Sequence, residues 1–247
     1  MVFEEIYQTI RYKHSLHSSE TLIVGIGGNT GSGKSTFAKE FSEFLKFTKN
    51  IESIRWGNDF YQAPRSQKSK KRKELVEKGE DRKDNWWKIV GEEIYYNTYN
   101  RNLMEEHLIK FKSRQDILPV KLYNEDSGEW DIDRNYTFNN SNEPFWVLHD
   151  GVYLFDPQVR KHLDSIILLT TGEEKIISDP NLGEVSQERK VRFERVSKRA
   201  LKRGHKVDYY QGFLPLDIQT TRHLRDAMEK EKDLILVDNR SKDRRVI

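Results

Sequence analysis

A doubly wound α/β fold with a parallel sheet is what this chain of 247 residues predicts. Three observations carry that prediction. The apolar run Leu22-Ile23-Val24-Gly25-Ile26 leads straight into a glycine-rich turn, Gly28-Asn29-Thr30-Gly31-Ser32-Gly33-Lys34-Ser35-Thr36, and Phe37, Phe41 and Leu45 follow at helical spacing. Further short apolar runs at 145–148, 165–169 and 234–237 read as strands buried on both faces. Two runs end beside a carboxylate, Asp59 after 51–56 and Asp150 after 145–148, and the carboxyl edge of a doubly wound sheet is where active groups gather.

Taken in order, residues 2–14 predict a short capping helix with Ile6 and Ile10 on one face. The first strand, the glycine-rich turn and a helix over about 36–47 come next, then a second strand at 51–56 leading into Gly57-Asn58-Asp59-Phe60-Tyr61. Residues 65–82 open on Arg-Ser-Gln-Lys-Ser-Lys-Lys-Arg-Lys. They read as a solvated, mobile loop, with an anion-attracting flap as the sharper alternative. Helical spacing returns over 85–111 with Trp86, Ile89, Val90 and Ile94 and then Leu103, Leu108 and Phe111, which fits two helices. The stretch 118–136, with Pro119, Tyr123 and Trp130, reads as irregular chain lining an acceptor pocket. After the strand that ends at Asp150, residues 188–204 predict a basic helix with Phe193, Val196 and Ala200 on one stripe and Arg192, Arg195 and Arg199 on another. His149 reads as a structural neighbour.

The turn fits the pattern G-x-x-x-x-G-K-[ST] with nothing missing. Its glycines allow the backbone to curl so that amide groups point at a polyphosphate. Lys34 can reach the β and γ phosphates, Ser35 can ligate Mg²⁺, and the following helix turns its positive end toward the anion. A basic helix face close by suits bidentate contact with phosphate oxygens, and a solvated basic face fits the spacing equally well.

Hydrophobic residues make up 35% and charged residues 34%, with 11% aromatics, so a polar chain with enough apolar material for a core is expected. The absence of cysteine excludes disulfides, thiolate metal sites and cysteine nucleophiles. With no apolar leader segment and no run of membrane-span length, a cytoplasmic location is expected. A net charge of +3, from 43 basic and 40 acidic residues, is too balanced to argue for nucleic acid as a partner.

Together these residues resemble the uridine kinase and phosphoribulokinase group of phosphate-loop kinases, and within it the uridine kinase-like nucleoside kinases, over roughly 21–237. Asn58-Asp59-Phe60-Tyr61 resembles the group's Asp-x-Phe-Tyr motif, and Leu148-His149-Asp150-Gly151 its apolar-Glu-Gly strand end. Pro119 and Tyr123 resemble its Pro-x-Tyr-Asp acceptor segment, and Arg195, Lys198 and Arg203 the basic residues of its lid.

The resemblance implies a P-loop NTPase fold, a parallel five-stranded sheet with helices on both faces and a helical lid. One domain would span 1–247, with an acceptor-side insertion near 62–140 and a lid near 186–212. It further implies ATP and Mg²⁺, with Lys34, Asp59, Asp150 and Arg195 catalytic and Ser35 and Asp150 on the metal. Gly28, Asn29, Thr30, Gly31, Ser32, Gly33, Lys34, Ser35, Thr36, Lys198 and Arg203 would hold the nucleotide, and Asn58, Tyr61 and Tyr123 the acceptor. The expected partner is a small-molecule acceptor, a nucleoside, with no membrane and no nucleic acid. A homo-oligomer is compatible with the sequence.

The chain departs from the group's pattern in three places. The motif aspartate, the base that takes the acceptor proton, falls on Asn58, and an amide cannot accept that proton at neutral pH. Either Asp59 or Asp150 takes the role, or the chain binds nucleotide without transferring phosphate. Asp150 is one methylene shorter than the usual Glu, and Arg199 stands where an Asp is common.

Overall fold

Strand β1 (Thr21–Gly28) is buried at every residue and forms the middle of the sheet, as its unbroken apolar run requires. The computed structural model describes residues 2–14, 21–80, 86–139, 143–170, 187–204, 206–207, 213–231, 233–239 and 244–247. In chain order the elements are α1 (Val2–His14), β1, α2 (Lys34–Lys49), β2 (Glu52–Arg55), α3 (Arg65–Glu77) and α4 (Trp86–Lys88), which runs on as a π-helix over Ile89–Tyr95. Then come α5 (Arg101–Lys112), β3 (Ile117–Tyr123), β4 (Trp130–Tyr136), β5 (Phe145–Asp150), α6 (Pro157–Arg160) and β6 (Ser165–Thr170). Last are α7 (Gln187–Lys202), α8 (Leu214–Lys230), β7 (Leu234–Asp238) and β8 (Arg245–Val246).

The main sheet has the order β2-β5-β1-β6-β7-β8. Strands β2, β5, β1, β6 and β7 pair in parallel, as expected, and the two-residue β8 adds an antiparallel edge on β7. Alternate strand residues face opposite layers. Val24, Ile26, Trp146, Leu148, Ile167 and Leu169 pack under Ile6 and Ile10 of α1 and Phe37, Phe41 and Leu45 of α2. Ile23, Phe145, Val147 and Ile166 pack under Met104, Leu108 and Phe111 of α5. The capping role of α1 is therefore real, with Ile6 and Ile10 both 0% exposed.

Register decides the site. Ile26 stands opposite Asp150 and Arg55 opposite Leu148, so β1, β5 and β2 release their loops side by side at one edge.

Two expectations are corrected, and one helix was not anticipated. Residues 65–77 form helix α3, not a loop: Lys, Arg, Gln, Glu and Leu are good helix formers, although only Lys68 and Leu75 are buried. The stretch 118–136 is the antiparallel hairpin β3–β4, whose register shifts between Ile117 and Val120 and between Leu122 and Tyr123 break the period of two. Helix α8, which no apolar stripe announces, buries Asp217 and Thr220 beside Ile218 and Leu224. Among the described residues, no helix is long and apolar enough to cross a membrane.

Candidate active site

The loop between β1 and α2 is folded tightly on its own carbonyls. Gly31 has φ +82°, and a Cβ there would stand 2.8 Å from the Arg192 carbonyl of α7, so the loop and that helix touch backbone to backbone. Gly28 has φ +145°, and a Cβ there would meet Ser32 Oγ at 2.6 Å. The Ser32 amide donates to the Asn29 carbonyl at 3.0 Å, and Asn29 and Ser32 are fully buried. Asn239, just past β7, donates to the Ser32 carbonyl at 2.6 Å.

Lys34 opens α2 and turns back, donating to the carbonyls of Gly28 (2.9 Å) and Asn29 (2.8 Å). Burial lowers its pKa from 10.5 to about 8, against the pull of Asp59 and Asp150. With Thr30, Gly31, Gly33, Ser35 and Thr36 it lines a cavity of about 400 Å³.

Ser35 and Asp150 converge: the hydroxyl donates to Asp150 Oδ2 at 2.9 Å. A hydroxyl and a carboxylate at one point are hard oxygen donors of the kind Mg²⁺ takes together with phosphate oxygens and water, so the donor set fits that ion. Arg55, the last residue of β2, already lies on both. Its Nε donates to Asp150 Oδ1 at 2.7 Å, and its Nη2 to Asp150 Oδ2 and to Ser35 Oγ, each at 3.0 Å. Asp150 is buried while Arg55 keeps 37% of its side chain exposed. Sequence reasoning missed Arg55, which ends a short strand that also carries Glu52 and Ser53, so no local pattern sets it apart.

Asp59 lines the same cavity as Lys34 and Ser35, whereas Asn58 lines neither this cavity nor the larger one beside it and is 0% exposed. The two residues begin a 3₁₀ turn, Asn58–Tyr61, in which successive side chains diverge by about 120°. Asn58 packs against Gly151, where an added Cβ would lie 2.3 Å from the Asn58 Cγ. Asp59 Oδ1 accepts from Gln62 Nε2 at 2.7 Å and from the Tyr99 hydroxyl at 3.3 Å, and Oδ2 has no hydrogen bond from the described residues. Burial raises its pKa, helped by Glu125 and Asp150 and opposed by Lys34.

Tyr61 does not reach either cavity. It is buried, takes a hydrogen bond from Trp56 Nε1 at 2.5 Å and meets His107 Nδ1 at 2.9 Å. His149 is likewise buried, with Nδ1 on the Trp56 carbonyl at 2.5 Å.

The larger cavity, about 680 Å³, opens beside the first between α3, the hairpin and α7, and Tyr123 lines it. Of the basic residues of α7, Arg195 reaches toward the Gly31 carbonyl at 3.4 Å and lines the smaller cavity, and Arg199 lines both. Arg203 lines the larger one and is held by Glu125 (2.7 Å) and Asp126 (2.8 Å). Lys198 is exposed and lines neither. Arg192, assigned by its spacing to a basic face, is instead 1% exposed, and with Arg189 it binds the fully buried Asp217 of α8 at 2.9 Å. Among the described residues, no group of three or more His, Asp or Glu side chains forms a metal cluster of its own.

No protein-family model and no curated protein sequence matches the chain. Solved structures do. A candidate fructose transport system kinase from Silicibacter sp. TM1040 superposes with TM-score 0.59 at 16% identity, over 90% of this chain and 94% of its own. D-glycerate 3-kinase from Cryptococcus neoformans var. grubii gives 0.59 at 13% identity, over 99% of both chains. A possible uridine kinase from Bacillus stearothermophilus gives 0.53 at 13% identity, over 93% of this chain and 98% of its own. At such identities the likeness speaks for architecture, and the chain has the α/β fold that these three kinase structures share.

Proposed function

We propose that the protein is an ATP-dependent kinase that moves the γ-phosphoryl group to a hydroxyl of a small molecule. The observation that carries this reading is the meeting of Lys34, Ser35 and Asp59 on one cavity of about 400 Å³, with an Asp59 oxygen left unbonded by the described residues. Lys34 would leave the loop carbonyls for the triphosphate oxygens. Asp59 Oδ2 would accept the acceptor's hydroxyl proton while Gln62 and Tyr99 fix the carboxylate through Oδ1. The new O–P bond would form as the bond to the β-phosphate oxygen breaks, leaving ADP. Arg195 and Arg199, on the cavity wall, would balance the charge that develops on the transferring group. Ser35 and Asp150 would hold Mg²⁺, which when bound would neutralise charge on the phosphates.

The resemblance supports the 5′-hydroxyl of a pyrimidine nucleoside as the acceptor. The basic lining of the larger cavity favours a second reading, an anionic acceptor of the pantothenate, glycerate or sugar-phosphate kind. Asn58 is buried away from the cavity that Asp59 lines, which supports Asp59 as the base over the alternative of a binder without transfer activity.

ADP release from ATP and Mg²⁺ tests the proposal across uridine, cytidine, pantothenate, glycerate and a sugar phosphate, with Asp59→Asn as control. A rise with one acceptor that vanishes in the variant is expected. ATP binding with no acceptor-stimulated ADP release would overturn it.

A further inference from the structure

Lys68 is a lysine in an unusual place for a helix that is otherwise solvated. It is 9% exposed, and its ammonium lies over the rings of Tyr123 (4.8 Å) and Tyr95 (5.2 Å). Its one hydrogen bond is to Gln62 Oε1 at 2.9 Å, so two of its three N–H donors have no partner among the described residues. Burial lowers its pKa from 10.5 to about 8, with Asp59 and Glu129 pulling it up from a distance and Arg65 pushing it down. A buried cation with spare donors is costly to keep unless something answers it.

The wall around it has the same character. Arg65, Lys68, Arg72, Arg199, Arg203 and Lys206 line the larger cavity against one acid, Glu125, which Arg203 already holds at 2.7 Å. The cavity also communicates with the reaction end. Gln62 lines both, giving its Nε2 to Asp59 at 2.7 Å and its Oε1 to Lys68 at 2.9 Å. One amide therefore spans the proton acceptor and the buried ammonium, which stand no more than about 8 Å apart.

We infer that the acceptor carries an anionic group, a carboxylate or a phosphate, which Lys68 binds in the larger cavity while the acceptor hydroxyl lies at Asp59. This rests on the kinase reading and narrows its substrate to a compact hydroxy acid or sugar phosphate. A neutral nucleoside could accept from Lys68 through a carbonyl or hydroxyl oxygen but would leave its buried charge uncompensated, and the short span set by Gln62 excludes a long chain between hydroxyl and anion.

The test measures binding, not turnover, so that it stands apart from the kinase reading. Calorimetry on the whole protein with saturating ADP would use glycerate as the carboxylate probe, ribose 5-phosphate as the phosphate probe and uridine as the neutral one. At least one anionic probe should bind, and Lys68→Met should weaken it by about tenfold or more, while Lys68→Arg retains most of the affinity. The carboxylate and phosphate arms identify which anion is read.

Failure of every anionic probe, equal binding by Lys68→Met, tighter binding of uridine than of any anion, or displacement of the anion by ADP would each overturn the inference. Circular dichroism of Lys68→Met confirms that a loss is not unfolding. Should ADP itself not bind, the kinase reading falls while the effect of Lys68→Met on the anion still decides this one.

Discussion

Replacing Arg55 with methionine should make the protein bind divalent cations more tightly. The guanidinium and a cation on Ser35 and Asp150 need the same oxygen lone pairs, since Arg55 takes both Asp150 oxygens, at 2.7 and 3.0 Å, and the Ser35 hydroxyl at 3.0 Å. A cation on these oxygens would compete with Arg55 and meet its like charge. Hydrogen bonds to charged groups contribute about 1.5–3 kcal/mol net when buried. Arg55 is 37% exposed, so solvent screening brings the competition down to about 1–2 kcal/mol. That is about a five- to thirty-fold gain in affinity, because each 1.4 kcal/mol is about a factor of ten. Methionine keeps an unbranched apolar stem and removes the charge.

The assay is Mn²⁺ titration of the nucleotide-free protein followed by electron paramagnetic resonance, on the parent, Arg55→Met and Asp150→Asn. Arg55→Met should bind more tightly than the parent, and Asp150→Asn more weakly. Equal or weaker binding by Arg55→Met, with Asp150→Asn impaired, would refute the competition and make Arg55 a support for the carboxylate. An Asp150→Asn protein that binds like the parent would refute the metal site itself.

Three further outcomes follow from the geometry. Asp217→Ala leaves the buried guanidiniums of Arg189 and Arg192 without their carboxylate and should cost about 3–5 kcal/mol in urea unfolding, with faster amide exchange in α7 before anywhere else; a loss under about 1 kcal/mol would contradict it. Gly31→Ala, at φ +82° with its Cβ 2.8 Å from the Arg192 carbonyl, should weaken ATP binding measured by calorimetry by about tenfold, through strain of about 1–2 kcal/mol and displacement of α7. His107 has its pKa lowered by burial from 6.5 to about 4, so its contribution is fully present above pH 6.5 and is lost as pH falls toward 4. After allowance for nearby solvent it amounts to about 2 kcal/mol. Urea midpoints of the parent should fall over that window, and those of His107→Gln less so.

The parts of the molecule that were legible in the sequence are those where one physical demand acts alone. β1, β5 and β6 are buried on both faces, and that demand writes an unbroken apolar run. The glycine-rich loop was legible because its backbone tolerates few alternatives. Asp59 and Asp150 could be picked out because strand ends at the carboxyl edge are few.

What was not legible answers to two demands at once. α3 is helical by propensity and solvated by composition, and the composition hid the propensity. β3 carries Pro119 and two register shifts, so its alternation is broken where it would have been read. α8 turns a carboxylate inward to meet arginines on α7, a pairing that no local pattern announces. Arg55 and Lys68 escaped notice for the same reason: each is one cation in a polar stretch, and only the partners brought by the fold set it apart. Tyr61, which the motif offered to the acceptor, is held in the core by Trp56 and His107.

The turn over Asn58–Tyr61 also bears on how such chains are sorted into active and inactive groups. A comparison that works column by column would grade this one inactive, for want of an acid at position 58, and would pass over the acid at position 59. What an active cavity requires is a direction, and a 3₁₀ turn changes direction by a third of a revolution with every residue. One substituted letter in such a turn therefore says little about activity until the direction of the letter beside it is known.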